Sequence, residues 1–182
     1  MQLGAGALAA AACPAGLNAW QGSVCAQERP FGPPRRLTMH NLNTGEMLDA
    51  LYWDAGAYVP DALAALNKLM RDHHTGEQHV IAPALLDALS LLHGQVEANA
   101  CYELICGYRA PGTNAAMHRK SRQVANNSLH LEGMAADVRI NGVSLEHLQK
   151  AALVLRRGGV GLYPKSGFVH VDVGPVRHWQ GT

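Results

Sequence analysis

The segment VGLYPKSGFVHVDV, residues 160–173, sets the frame of the molecule. Two short runs, VGLY and FVHVDV, flank the turn PKSG and read as an antiparallel hairpin. In the second run the two-residue period of a strand puts Phe168, His170 and Asp172 on one face and Val169 and Val171 on the core face. A histidine and a carboxylate therefore share a surface away from the core.

Upstream, GMAADVRI (133–140) and YELICGY (102–108) read as two more strands. Between the hairpin and GMAADVRI, Ser144 caps a helix carrying Leu145, Leu148, Ala152 and Leu155, and the pair Gly158 and Gly159 is expected to end it. Two further helices start at Pro60, with Ala62, Leu63, Leu66, Leu69 and Met70 as the apolar stripe, and at Pro83, with Leu85, Leu86, Leu89, Leu92 and Val96. RRLTMHNLNTGEMLDALYW, from Arg35 to Trp53, alternates loosely around Asn-Thr-Gly-Glu and is consistent with an N-terminal hairpin. RAPGTNAAMHRKS reads as a turn entering a short helix, followed by the polar loop RQVANNS.

The 182 residues suffice for one domain with a hydrophobic core. Residues 1–26, opening with the apolar MQLGAGALAAAA, read as a signal peptide or leader, so export to the periplasm or cell envelope is expected. A buried Ala-rich helix is the alternative. Residues 27–35 are a Pro-rich linker, and residues 36–182 form the domain. With 15 basic and 14 acidic residues, nothing in the balance points to nucleic acid or an anionic membrane surface, and the apolar stretch is too short to span a bilayer.

Four cysteines, at 13, 25, 101 and 106, do not make a disulfide scaffold. Cys101 and Cys106 fall on opposite faces of a regular strand and read as buried apolar residues, Cys106 in the core. The absence of CxxC argues against a thiolate metal site. His73, His74 and His79 lie beyond the C-terminus of the helix that starts at Pro60, where its dipole favours imidazolium, and a metal role is the lesser reading.

A catalytic zinc site takes about three N or O ligands. His130, Asp137 and His170 meet that count, although each also has an ordinary reading: a loop histidine, a turn or salt-bridge carboxylate, a satisfied core histidine. Spacing alone leaves the choice open.

The blocks GYRAPGTNAAM, SLHLEGMAADVRI and GVGLYPKSGFVHVDVGPVRHW, with LNTGE upstream, resemble those of the murein endopeptidase K-like zinc peptidases of the hedgehog/D-Ala-D-Ala peptidase superfamily. The resemblance covers residues 36 to 180 and implies an α+β fold, a small central antiparallel sheet with flanking helices around a zinc site. It implies Zn2+ held by His130, Asp137 and His170, Arg109 steadying the oxyanion, and Ser128 orienting a ligand or the substrate. Asn114, Asn126 and Asn127 are weaker candidates for holding peptide carbonyls.

The general base does not carry over. Related branches place a Glu three residues before the last zinc histidine or a His two before it, and here those positions are Gly167 and Phe168. Asp172 is the nominee, with an acceptor that orients His170 as its alternative role, and His178 is the reserve. The implied function is a zinc-dependent peptidoglycan peptidase that hydrolyses peptide crosslinks. A D,D-carboxypeptidase or dipeptidase on stem peptides, and a zinc-containing wall-binding module, are the alternatives.

Overall fold

Residues 32–121 and 124–182 are described by the computed structural model. The expected leader, Cys13, Cys25 and the linker up to residue 31 lie outside them. The N-terminal hairpin forms as expected: β1 (Arg35–Asn41) pairs antiparallel with β2 (Met47–Asp54), which pairs with the two-residue β3 (Ala57–Tyr58). Helices α1 (Pro60–Leu69) and α2 (Pro83–Gln95) follow, each with proline in its first turn, where the missing N–H costs nothing. The chain then returns as β4 (Tyr102–Cys106) beside β1. Because it has crossed over through two helices, that pairing is parallel.

Helix α3 (Pro111–Lys120) leads to a short 3-10 turn at Leu129–Glu132 and into β5 (Ala135–Ile140). After α4 (Leu145–Leu155) come β6 (Gly159–Tyr163), β7 (Phe168–Asp172) and β8 (Arg177–Gln180). The eight strands form one sheet in the order β3-β2-β1-β4-β5-β7-β6-β8. The fold is α+β, as expected, but the sheet is larger than expected and mixed. β6 and β7 make the antiparallel hairpin, and the chain then crosses to the far side of β6, so β8 must run parallel to β6.

Helices α1, α2 and α4 cover one face of the sheet. Both expected stripes are buried there: Leu66, Leu69 and Met70 from α1, and Leu85, Leu86, Leu89, Leu92 and Val96 from α2, against Met39, Leu104, Val138, Val169 and Val171. Tyr102 is wholly buried and donates its hydroxyl to the Leu89 carbonyl at 2.9 Å. Leu89→Ala is expected to lower stability by about 2–5 kcal/mol through lost transfer energy and a residual cavity. A lower denaturant midpoint at constant m-value would show it.

Helix α4 is capped as expected, the Ser144 hydroxyl accepting the His147 amide at 3.2 Å. It ends earlier than expected, at Leu155, with Arg156 in the left-handed region at φ 49°. Gly158 and Gly159 serve a different purpose. A Cβ on Gly158 would lie 1.9 Å from the Asp172 carbonyl oxygen, and one on Gly159 would lie 2.6 Å from Asp172 Oδ2. The two glycines make room for Asp172.

Candidate metal centre

One row of residues crosses the uncovered face of the sheet. In register, Cys106 of β4 stands opposite Asp137 of β5, Asp137 opposite His170 of β7, His170 opposite Gly161 of β6, and Gly161 opposite Trp179 of β8. Residues directly opposite share a face, so Cys106, Asp137, His170 and Trp179 point the same way. Gly161 is small for a reason: a Cβ there would meet the Trp179 ring at 2.5 Å. The indole lies over the row with its centroid 5.2 Å from that of His170, its Nε1 donating to the Tyr163 hydroxyl at 2.8 Å.

His130 completes the group from the 3-10 turn. The Ser128 hydroxyl caps that turn by accepting the His130 amide at 3.4 Å, and Gly133 ends it at φ 63°. The turn is laced to the segment after β4 in both directions: Arg109 N–H donates to the His130 carbonyl at 3.0 Å, and His130 Nδ1 lies 2.7 Å from the Gly107 carbonyl. The imidazole is thereby aimed at the sheet with Nε2 forward.

His130 Nε2, Asp137 Oδ1 and His170 Nδ1 form a tight triangle. The two nitrogens are 3.2 Å apart, and the carboxylate oxygen is 3.2 Å from His130 and 2.8 Å from His170. A tetrahedral ion with bonds of about 2.0–2.2 Å holds its N and O donors a little over 3 Å apart, so this set fits a divalent metal. Both imidazoles have their second nitrogen satisfied, His130 by the Gly107 carbonyl and His170 by Asp172 Oδ2 at 3.1 Å, the outer contact that fixes a ligating imidazole. All three residues are buried. Burial alone would push the His130 imidazole down, but the Asp137 carboxylate and, after it, Cys106 outweigh burial and raise it to about 10. Burial likewise opposes the Asp137 charge, and His130 and His170 hold that carboxyl well below the ordinary range.

Arg109 closes one side. Its Nη1 donates to Asn114 Oδ1 at 3.3 Å, Nη2 lies 3.4 Å from Cys106 Sγ and 3.7 Å from Asp137 Oδ2, and Nε is buried with no partner among the described residues. Asn114 in turn donates to the carbonyls of Ala125 and Asn126. It braces Arg109 and the loop rather than presenting a free amide. The triad and Arg109 line a cavity of about 740 Å³, shared with Ser128, Asn127, Tyr163 and Trp179. Asn126 is exposed and does not line it.

The two candidate bases are placed elsewhere. Asp172 has no exposed surface and lies behind His170 rather than in the cavity. Its carboxylate accepts from the amides of Gly159 and Gly174, both at 2.9 Å, and from Arg177 Nη2 at 2.7 Å, besides meeting His170. Burial opposes its charge, but these donors hold it well below the usual carboxylate range, so it is a fixed anion. That geometry suits the alternative role, the acceptor that orients His170. His178 is exposed, and the two-residue period of β8 turns it away from the face that carries Arg177 and Trp179.

Three further expectations change. Cys106 is not in the core. A bulge between Leu104 and Cys106 inserts one residue into β4, and the one-residue slip turns the thiol from the core face to the face of Asp137. Its sulfur groups with donor atoms of His130 and Asp137, all within 4.8 Å of one another. His73 and His74 also line the cavity, because Asp72 accepts the amides of His74 and Ala110 and ties their loop to the start of α3. Burial, His74 and Arg109 hold the His73 imidazole below its ordinary value, the reverse of the helix-dipole expectation. Period and composition carried no signal for this, since the loop folds back from another part of the sheet.

A model of the family described as "Peptidoglycan L,D-endopeptidase MepK" matches residues 30–179. The chain is 44% identical over 146 residues to "Peptidoglycan L,D-endopeptidase MepK" of Escherichia coli K12, which covers 80% of each chain. It is 46% identical over 150 residues to the "Probable peptidoglycan L,D-endopeptidase MepK" of Haemophilus influenzae, covering 82% of this chain and 81% of the relative. No solved structure gives a significant match.

Proposed function

The chain belongs to the peptidoglycan L,D-endopeptidase MepK family, and on that premise we propose that it is a zinc-dependent murein endopeptidase that hydrolyses peptide crosslinks of the bacterial cell wall. The observation that carries the reading is the donor triangle of His130 Nε2, Asp137 Oδ1 and His170 Nδ1 on the floor of the cavity. We assign those three residues as the zinc ligands. A zinc ion held there would supply Lewis acidity, for acidifying a water and polarising a scissile carbonyl.

The chain's own groups supply the remainder. Arg109 offers a permanent cation and an unpartnered Nε beside the triad, where an oxyanion would develop. Asp172, clamped by two backbone amides and Arg177, holds His170 in one orientation and one tautomer. Ser128 caps the turn that presents His130. A periplasmic location follows from the substrate, and no helix among the described residues is long and apolar enough to cross a membrane.

The test is chromatography of peptidoglycan digested with zinc-loaded protein, using crosslinked and uncrosslinked muropeptides side by side. New monomers from the crosslinked substrate are expected. Equal cleavage by metal-free protein would defeat the zinc reading, and trimming of uncrosslinked stems alone would make the enzyme a carboxypeptidase.

The proton held by His130 has a measurable consequence. Zinc must take the neutral imidazole, so loading near neutral pH, well below the value of about 10, expels a proton. This proton by itself is expected to lower affinity about tenfold per pH unit on acidification. Titration calorimetry in two buffers of different ionisation enthalpy reads the released proton directly.

A further inference from the structure

The thiol that the β4 bulge turns toward Asp137 has no part in the mechanism above. Cys106 Sγ groups with the donor atoms of His130 and Asp137 within 4.8 Å, on the same cross-strand row as the third ligand, His170. It lines the same cavity as the three proposed ligands. A four-coordinate zinc site with a sulfur ligand places S and N or O donors about 3.5 Å apart, given bonds of about 2.3 and 2.0 Å.

A second observation bears on the sulfur. Arg109, nine-tenths buried, approaches Sγ with Nη2 at 3.4 Å, and its Nε has no partner among the described residues. A buried guanidinium turns its donors to an acceptor, and the sulfur of Cys106 is the one at this distance. Cys106 also makes a long contact, 3.7 Å, with the Gly107 carbonyl.

We propose that Cys106 is a fourth protein donor to the metal, giving a centre of two histidines, one aspartate and one cysteine that is closed at rest and opens when Sγ withdraws; this rests on the ligand assignment made above. On binding, the S–H bond breaks, the proton leaves to solvent, and the sulfur lone pair forms the bond to the metal. With four protein ligands the ion has no position for substrate, so the resting centre is latent. Withdrawal of the thiolate, by substrate or by a thiol-capping reagent, restores the open position. The absence of a CxxC motif is no obstacle, because the bulge and strand pairing supply the thiol that local spacing does not.

The probe is Co2+ alone, added to the metal-stripped full chain. The wild type is expected to show an intense near-ultraviolet thiolate-to-cobalt band, and Cys106→Ser to bind cobalt without it. Zinc affinity of the variant, read by chelator competition, should fall at least about tenfold, since even the loss of an outer contact costs about 10–100-fold. Identical near-ultraviolet spectra with cobalt bound in both would overturn the proposal while leaving the ligand triad standing. Failure of the wild type to bind cobalt would overturn both. Should the variant not fold, alkylation of the wild type followed by peptide mapping decides: metal should slow the reaction of Cys106 at least about tenfold relative to Cys101, and equal rates with and without metal would sink the idea.

Discussion

Asp137→Asn is expected to strip the protein of zinc and to reduce crosslink cleavage by more than the roughly 10²–10³-fold that loss of one oxyanion donor costs. The replacement keeps the shape of the side chain and removes its charge. Asp137 Oδ1 sits 3.2 Å from His130 Nε2 and 2.8 Å from His170 Nδ1, so it is the anion that draws both imidazoles to one point. An amide at that place is a poor ligand, and without the carboxylate the largest cause that raises the His130 imidazole against its burial is gone. The variant should therefore fold with the shape of the site kept and its anion removed. Metal content by mass spectrometry and muropeptide chromatography on the same sample make the test, with circular dichroism as the control for folding. A variant that keeps stoichiometric zinc and near-normal cleavage would remove Asp137 from the ligand set.

Arg109→Lys separates charge from geometry. The guanidinium is held from three sides, by Asn114 Oδ1 at 3.3 Å, Cys106 Sγ at 3.4 Å and Asp137 Oδ2 at 3.7 Å, and the residue's own amide donates to the carbonyl of His130, a proposed ligand, at 3.0 Å. Lysine keeps the charge and loses the planar fork and the buried Nε that faces no acceptor. We expect kcat to fall on the order of 10²–10³-fold with KM changed far less and zinc content unchanged, the pattern of an interaction made in the transition state. Steady-state kinetics on a defined crosslinked muropeptide read the split. A loss confined to KM would recast Arg109 as a residue that binds the ground state.

The local periods were legible. Residues i and i+2 of FVHVD place His170 and Asp172 together and Val169 and Val171 in the core, because the pleat of a strand is a property of neighbours. The stripes of α1 and α2, their proline starts, the Ser144 cap and the N-terminal hairpin are local in the same sense. The expectations for the triad, Arg109 and Ser128 came from the resemblance of whole blocks rather than from local period.

What the chain order could not convey is pairwise and long-range. Whether Asp172 faces the cavity or lies behind His170 depends on Gly159, Gly174 and Arg177 closing over it, and two of those contacts arise from strands that meet only after the sheet is assembled. The parallel β1–β4 and β6–β8 pairings follow from crossovers, and His178 loses its claim to the site through the β8 register. The loop of His73 and His74 reaches the cavity only through the Asp72 tie to Ala110. Cys106 is the clearest case. A regular strand sends it to the core, and a single inserted residue in β4, fixed by pairing with β5, turns it to the metal face. The sequence by itself determined which faces were apolar and which residues were candidates for the metal, because those depend on side-chain chemistry and on spacings of a few residues. The tertiary structure alone decided which of the remaining polar groups face the metal, because strand register is set between segments far apart in the chain.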